Sequence, residues 1–329
     1  MEWIKNEELT TIRQDWKGNP VARGRFQYPA DPFYPSGSKL LQWFFRPNPQ
    51  RREKKADTWS PRVKDDAERL RATSRDFICW LGHASFLIQI AGRRLVLDPV
   101  LFDLPLLARK VKIPYRVDDF GKVDYMLLSH DHRDHCDKVS LREVQRKCRP
   151  DKVLTGLQMG KVIAPWLGGL EIEEAGWYQI FRTAPDLEII YLPARHWCRR
   201  GAFDFNRVLW GSFLIRSPDW SIYFGADSGY ASHFAEIGNL FPEIDLALIG
   251  IGAYKPGFMM QEIHTSPKEA AQAFEDLGAG VMIPMHFGTY DLSDEPISEP
   301  FHHIQRIFQE ARLEHRLFLP AVGEVMFRD

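Results

Sequence analysis

The sequence predicts an α/β domain with its chemistry at the carboxyl ends of strands, and three observations carry that prediction. From about residue 75 onward, short apolar runs rich in β-branched and aromatic residues alternate with segments of helical length. Several runs are followed within a few residues by His or Asp: 123–129 by His130, 187–192 by His196, 220–226 by Asp227 and 281–285 by His286. The first opens into His130-Asp131-His132-Arg133-Asp134-His135, an HxHxDH spacing within one loop.

Taken in order, residues 1–75 read as an arm without a core of its own. Pro20, Pro29, Pro32, Pro35, Pro47 and Pro49 interrupt every helical pattern there, and the charged run 50–55 marks a solvated stretch. Residues 76–329 read as one domain, long enough to bury a large core. Run 123–129 is too short for a helix and reads as a buried strand, followed by a helix over 137–146. Runs 187–192, 220–226 and 281–285 read as strands, with Gly229 allowing a tight turn behind Asp227. Segments 232–239, 267–277 and 299–311 read as helices. His233, His302, His303 and His315 fall in polar or helix-like stretches and read as solvated.

Imidazole nitrogen and carboxylate oxygen are the donors that suit zinc and, with more oxygen, manganese or iron. Four donors within six residues are too crowded for one ion, so His130 and His132 are expected on one cation and Asp134 and His135 on a second. His196, Asp227 and His286 repeat the strand-then-donor pattern and are the candidates to complete both sets.

With 43 basic and 44 acidic side chains, the chain offers no general charge for nucleic acid. Cys79, Cys136, Cys148 and Cys198 lack CxxC spacing and read as reduced thiols of a cytoplasmic protein. There is no signal-peptide pattern at residues 1–6, and no apolar stretch reaches transmembrane length.

The chain resembles the metallo-β-lactamase fold hydrolases and, within them, the N-acyl-phosphatidylethanolamine phospholipase D family. The resemblance runs through Trp80-Leu81-Gly82-His83-Ala84, Leu97-Asp98-Pro99, the HDHRDH cluster, His196-Trp197-Cys198, Trp210-Gly211-Ser212, Asp227-Ser228-Gly229-Tyr230, Gly252-Ala253-Tyr254, His264 and His286-Phe287-Gly288-Thr289. It implies a four-layer αββα sandwich as the catalytic domain over residues 76–329, holding two divalent cations: Zn2+ first, with Mn2+ or Fe2+ also accepted. On matching positions, one cation takes His130, His132 and His196, the other Asp134, His135 and His286, and Asp227 bridges them. Asp98 is implied to support the ligand loop from behind, and His83 to be structural. His264 and Asp134 are implied in catalysis, His264 beside the substrate phosphate, with Tyr254, Trp197 and Phe287 as substrate contacts. The chain departs from the family pattern at Arg133, at Gly225-Ala226-Asp227-Ser228, and around 255–258 and 265–267, which bears on headgroup and acyl preference.

The implied activity is phospholipase D-type hydrolysis of (N-acyl)phosphatidylethanolamine-like phospholipids by a hydroxide bridging the two cations. Phe33-Tyr34 with 40–45, and the apolar run 99–107, are the segments able to approach lipid, which places a cytoplasmic protein peripherally on the inner membrane surface. A small-molecule hydrolase of the same fold, such as a relative of L-ascorbate-6-phosphate lactonase, is the alternative. A non-catalytic metal-binding protein is the third reading, and a homodimer is left open.

Overall fold

The computed structural model describes residues 1–29, 33, 34 and 36–328. The amino-terminal part contributes β1 (Glu2–Ile4), β2 (Asn19–Ala22), β3 (Arg25–Phe26), α1 (Gly37–Phe45), α2 (Arg51–Ala56) and α3 (Ala67–Ala72). Next come β4 (Phe77–Gly82), β5 (Ser85–Ile90), β6 (Arg93–Leu97), β7 (Tyr125–Leu128), α4 (Lys138–Cys148), β8 (Lys152–Gly156), α5 (Gly160–Ile163) and β9 (Glu171–Ala175). The last part holds β10 (Gln179–Ile180), β11 (Glu188–Leu192), β12 (Ser212–Arg216), β13 (Ser221–Phe224), α6 (His233–Leu240), β14 (Leu246–Gly250), α7 (Gly257–Met260), α8 (Pro267–Leu277), β15 (Val281–Met285), α9 (Glu299–Glu310) and β16 (Val325–Phe327).

Two large sheets follow the same plan. One runs β16-β4-β5-β6-β7-β8-β9 and the other β10 to β15 in chain order. Each starts antiparallel and turns parallel, from β6 to β9 in the first and from β13 to β15 in the second. Parallel neighbours need a crossover, which α4, α5, α6 and α8 supply for four of the five parallel pairs, while the segment 98–124 joins β6 to β7. Phe86 of β5 meets Phe224 of β13 between the sheets, with ring centroids 6.3 Å apart, and one buried cluster spans both. The strands bury whole apolar runs: Met126, Leu127 and Leu128 of β7 are fully inaccessible, each contributing roughly 1.5–3 kcal/mol of transfer free energy. With α8 packed on β14, α6 and α9, the arrangement is the expected αββα sandwich.

Parallel strands bring their carboxyl ends to one edge. Asp98 follows β6, His130 follows β7, Asp227 follows β13 and His286 follows β15, so donors distant in sequence share that edge. Helix α8 matches its expected bounds because its ends are chemically marked. Ser266 and Glu269 form a reciprocal capping box, Pro267 occupies the first turn, and Gly278 closes the helix at φ 62°.

The amino-terminal segment departs from the expectation of an arm whose prolines break every helix. Pro47 and Pro49 fall between α1 and α2, where they delimit helices; Pro32 and Pro35 lie outside the described residues. The charged run 50–55 lies largely within α2, solvated as expected but helical. Leu9, Val21, Phe26 and Tyr28 join the main core. His233 is a second correction: it is 2% exposed, with Nε2 3.1 Å from Ser228 Oγ and Nδ1 3.3 Å from Tyr28 OH. Tyr28 belongs to the arm, so nothing local to α6 signals that burial.

Candidate metal centre

The shared edge gathers the donor residues into four overlapping groups: Asp98 with His130 and His135, Asp227 with His264 and His286, and two of four members each. Within each, one donor atom per residue lies within 4.8 Å of the others; of the two larger groups, His130, His132, His196 and Asp227 make the first, and His83, Asp134, His135 and His286 the second. Asp227 faces both. Its Oδ1 lies 3.1 Å from Nε2 of His135 and 3.1 Å from Nε2 of His286, while Oδ2 lies 3.5 Å from His196 Nε2 and 3.8 Å from His130 Nε2.

Hydrogen bonds behind the rings decide which nitrogen faces inward. Ser129 Oγ donates to Asp98 Oδ2 at 2.5 Å and lies 2.9 Å from His130 Nδ1, so His130 donates from Nδ1 and keeps its lone pair on Nε2. His135 Nδ1 pairs with Asp98 Oδ2 at 2.7 Å, and His196 Nδ1 with the carbonyl of Ile263 at 2.9 Å. Asp98 also accepts from the backbone N–H of Ser129 at 2.7 Å, so one carboxylate supports members of both groups. Ser129 is a relay that sequence reading missed, since a serine at a strand end carries no distinctive signal.

The residues fit a cation on the chemistry of these donors. Nε2 of His130 and of His196 lie 3.0 and 3.1 Å from Nδ1 of His132, whose Nε2 is buried without a partner. A proton can satisfy only one such contact, whereas a cation satisfies all three nitrogens. Nε2 of His135 and of His286, in the second group, and the Oδ1 of Asp227 that faces them are buried and close, yet none makes a well-directed hydrogen bond. Nitrogen and carboxylate oxygen together suit Zn2+, Mn2+ or Fe2+.

Burial opposes charge throughout this centre, and neighbours decide where it prevails. It would raise Asp227, but His135, His286 and His264 hold that carboxyl well below its usual range. Asp134 is likewise held down, by His286 3.5 Å from its Oδ2, by a hydrogen bond with His83 and by the charge of nearby imidazoles. Burial and the surrounding imidazoles push His130 well below its ordinary value. For His135 burial is overcome by Asp227, Asp98 and Asp134, which raise it well above.

The backbone is strained here: His83, Asp98, Ala226, Ala253 and His286 adopt φ of 53°, 38°, 49°, 60° and 61°. Gly252 allows a close approach, because a Cβ there would lie 2.1 Å from the carbonyl oxygen of His286. His83 sits deeper than a merely structural turn residue, its Nε2 3.1 Å from Asp134 Oδ2 and its ring 4.0 Å from that of His286.

A cavity of about 580 Å³ opens onto the centre. His132, Asp134, Asp227, His264 and His286 line its floor, and Phe33, Trp43, Trp197, Met259, Met260 and Ile263 supply apolar wall. His264 Nδ1 is 3.8 Å from Asp227 Oδ2, and burial, partly opposed by Asp227, brings its pKa down to about 4. Trp197 is where a substrate contact would be, but Tyr254 and Phe287 are not. Tyr254 turns its hydroxyl to Glu299 and lines a separate cavity with His303, and Phe287 stacks between Trp80 and Trp59. Proximity in sequence to a donor does not fix which way a side chain faces after a strained turn.

Fold and centre together define a metal-dependent hydrolase of the metallo-β-lactamase fold. Residues 93–287 match the beta-lactamase superfamily domain, and the chain belongs to that superfamily. It is 33% identical over 270 residues to an uncharacterised protein of Mycobacterium tuberculosis, covering 78% of this chain and 68% of the relative. It is 29% identical over 258 residues to N-acyl-phosphatidylethanolamine-hydrolyzing phospholipase D 1 of Caenorhabditis elegans, covering 73% and 71%. Among solved structures, Igni18, a metallo hydrolase of Ignicoccus hospitalis, superposes with a TM-score of 0.60 at 19% identity, covering 77% of this chain and 98% of that one, a likeness of fold.

Proposed function

We propose that this protein is a phospholipase D-type phosphodiesterase acting on (N-acyl)phosphatidylethanolamine-like phospholipids. The observation that carries the reading is the apolar-walled cavity opening onto two donor groups with Asp227 facing both, in a chain similar to a phospholipase D of that specificity. His130, His132 and His196 would hold one cation, Asp134, His135 and His286 the other, and Asp227 both. Bound there, two cations supply Lewis-acid charge and lower the pKa of a water.

The chain's own residues then bind and orient the diester. Trp43, Trp197 and Met260 accept acyl chain and exclude water. His264, neutral at pH 7 with a pKa brought to about 4, donates a hydrogen bond to a phosphate or leaving oxygen rather than a full proton. Asp134 stays ionised and lines the cavity, where it accepts a hydrogen bond from water. Among the described residues no helix is long and apolar enough to cross a membrane. Helix α1 buries none of its residues and exposes Leu40, Leu41, Phe44 and Phe45 beside basic α2, which supports a peripheral contact with anionic lipid.

Incubation of metal-loaded protein with a mixed phospholipid extract, a panel of lactones and simple aryl phosphodiesters tests the reading. Release of phosphatidic acid together with the free headgroup alcohol supports it. Turnover of lactones with none of any lipid refutes it.

A further inference from the structure

Two arginines rise from the two loops that carry the first donor group. Arg133 stands between His132 and Asp134, and Arg199 follows His196-Trp197-Cys198; both are exposed and both line the cavity over the centre. Neither has a carboxylate within ion-pair distance among the described residues. Their hydrogen bonds go to backbone carbonyls: Arg133 Nη2 reaches Arg200 O at 3.5 Å, and Arg199 Nε reaches Gly201 O at 2.9 Å. Asp131, in the same loop as Arg133, is buried beside Cys198 and Arg200, and two other acids are engaged elsewhere. Asp204 accepts from the backbone N–H of Gly201 at 2.8 and 2.9 Å, and Glu262 holds Lys39 at 2.9 Å. The carboxylates lining the cavity, Asp134 and Asp227, belong to the donor groups.

The mouth is therefore chemically lopsided. Its ligand loops present two uncompensated guanidinium groups, whereas α1 and α7 present Trp43, Met259 and Met260, and the one ammonium on that side, Lys39, is paired with Glu262. Guanidinium is planar and binds carboxylate or phosphate through paired N–H groups, which an ammonium cannot do. We infer that Arg133 and Arg199 form a subsite for a second anionic group on the substrate, a carboxylate or a phosphate carried by the headgroup beyond the reacting phosphodiester. This rests on the phosphodiesterase reading and adds an orientation to it: headgroup toward the arginines, acyl chains toward α1 and α7.

The test uses three dihexanoyl lipids and the metal-loaded protein. N-acetyl-phosphatidylethanolamine has no second anion, its N-succinyl analogue adds a carboxylate, and phosphatidylglycerophosphate adds a phosphate monoester. Two quantities are read: kcat/KM, and Kd from the change in intrinsic tryptophan fluorescence, to which Trp43 and Trp197 in the cavity wall contribute. The wild type is expected to favour the N-succinyl over the N-acetyl lipid by about tenfold or more in both readouts. In Arg133→Ser/Arg199→Ser the ratio falls to near one, and Arg133→Lys/Arg199→Lys, which keeps the charge, retains part of it. The phosphatidylglycerophosphate arm shows whether phosphate substitutes for carboxylate, by a preference that the same serine variant abolishes. Turnover with equal ratios in wild type and serine variant overturns the subsite while leaving the phosphodiesterase reading intact. Selective binding lost in the serine variant, with no lipid cleaved, supports the subsite and overturns the phosphodiesterase reading.

Discussion

Asp98→Asn is the substitution that most sharply tests how the centre is assembled. The Asp98 carboxylate accepts three hydrogen bonds, from Ser129 N at 2.7 Å, Ser129 Oγ at 2.5 Å and His135 Nδ1 at 2.7 Å, and it is wholly buried. Asparagine can keep its oxygen on the Ser129 amide, but its NH2 then faces two donors. His135 can answer only by becoming an acceptor at Nδ1, which puts the proton on Nε2, the atom that faces Asp227. Ser129 loses its acceptor as well, and with it the fixed tautomer of His130. Two bonds to a charged acceptor are lost, worth about 1.5–3 kcal/mol each. Because both outcomes strike inward-facing nitrogens, metal affinity is expected to fall about 10- to 100-fold, the range seen when outer carboxylates are removed. Competition against a chromogenic chelator at pH 7 measures this, with thermal melting of the metal-free protein as the folding control. Wild-type affinity in a folded Asp98→Asn protein would show that tautomer control does not lie with Asp98.

His264→Ala is expected to lower turnover at least about tenfold with metal content unchanged, as elemental analysis will show, since one hydrogen-bond donor aimed at developing charge is worth up to roughly 10²–10³-fold; loss of metal would make His264 a ligand instead. His233 is buried and neutral, with its pKa brought down to about 3, so it binds a proton more readily in the unfolded chain. Its stabilising effect is complete above about pH 6.5 and is lost progressively as pH falls toward 3. Between pH 7 and pH 5 it should cost the wild type about 2 kcal/mol that His233→Gln does not lose. Urea unfolding of both proteins at the two pH values reads the difference, and parallel pH profiles would contradict it. Replacing Leu41, Phe44 and Phe45 together with Ser should abolish co-sedimentation with anionic vesicles without changing the melting temperature, because all three side chains are exposed. Undiminished pelleting would remove α1 from the lipid contact.

How much of this was legible in the sequence follows from where information is local. Strands such as β7 and β15 could be read because a fully buried strand is a continuous apolar run, and the donors could be read because each follows such a run directly. Helix α8 carried its own boundary chemistry in Ser266, Pro267, Glu269 and Gly278. The arm was harder: α1 to α3 are short, bury little and sit between prolines, so neither periodicity nor length announced them. The relay through Ser129 and the burial of His233 both depend on partners far away in the chain, Asp98 and Tyr28. Tyr254 and Phe287 were misplaced because neighbouring residues, Ala253 and His286, hold left-handed backbone that redirects the side chains after them.

Whether Asp227 is shared by two cations, as proposed, is decided by an anomalous-scattering crystal structure of the zinc-loaded protein. Two peaks are expected, one ringed by His130, His132 and His196 and the other by Asp134, His135 and His286, with one Asp227 oxygen toward each. A single peak at saturating zinc, or peaks lying away from Asp227, would rule out a shared Asp227.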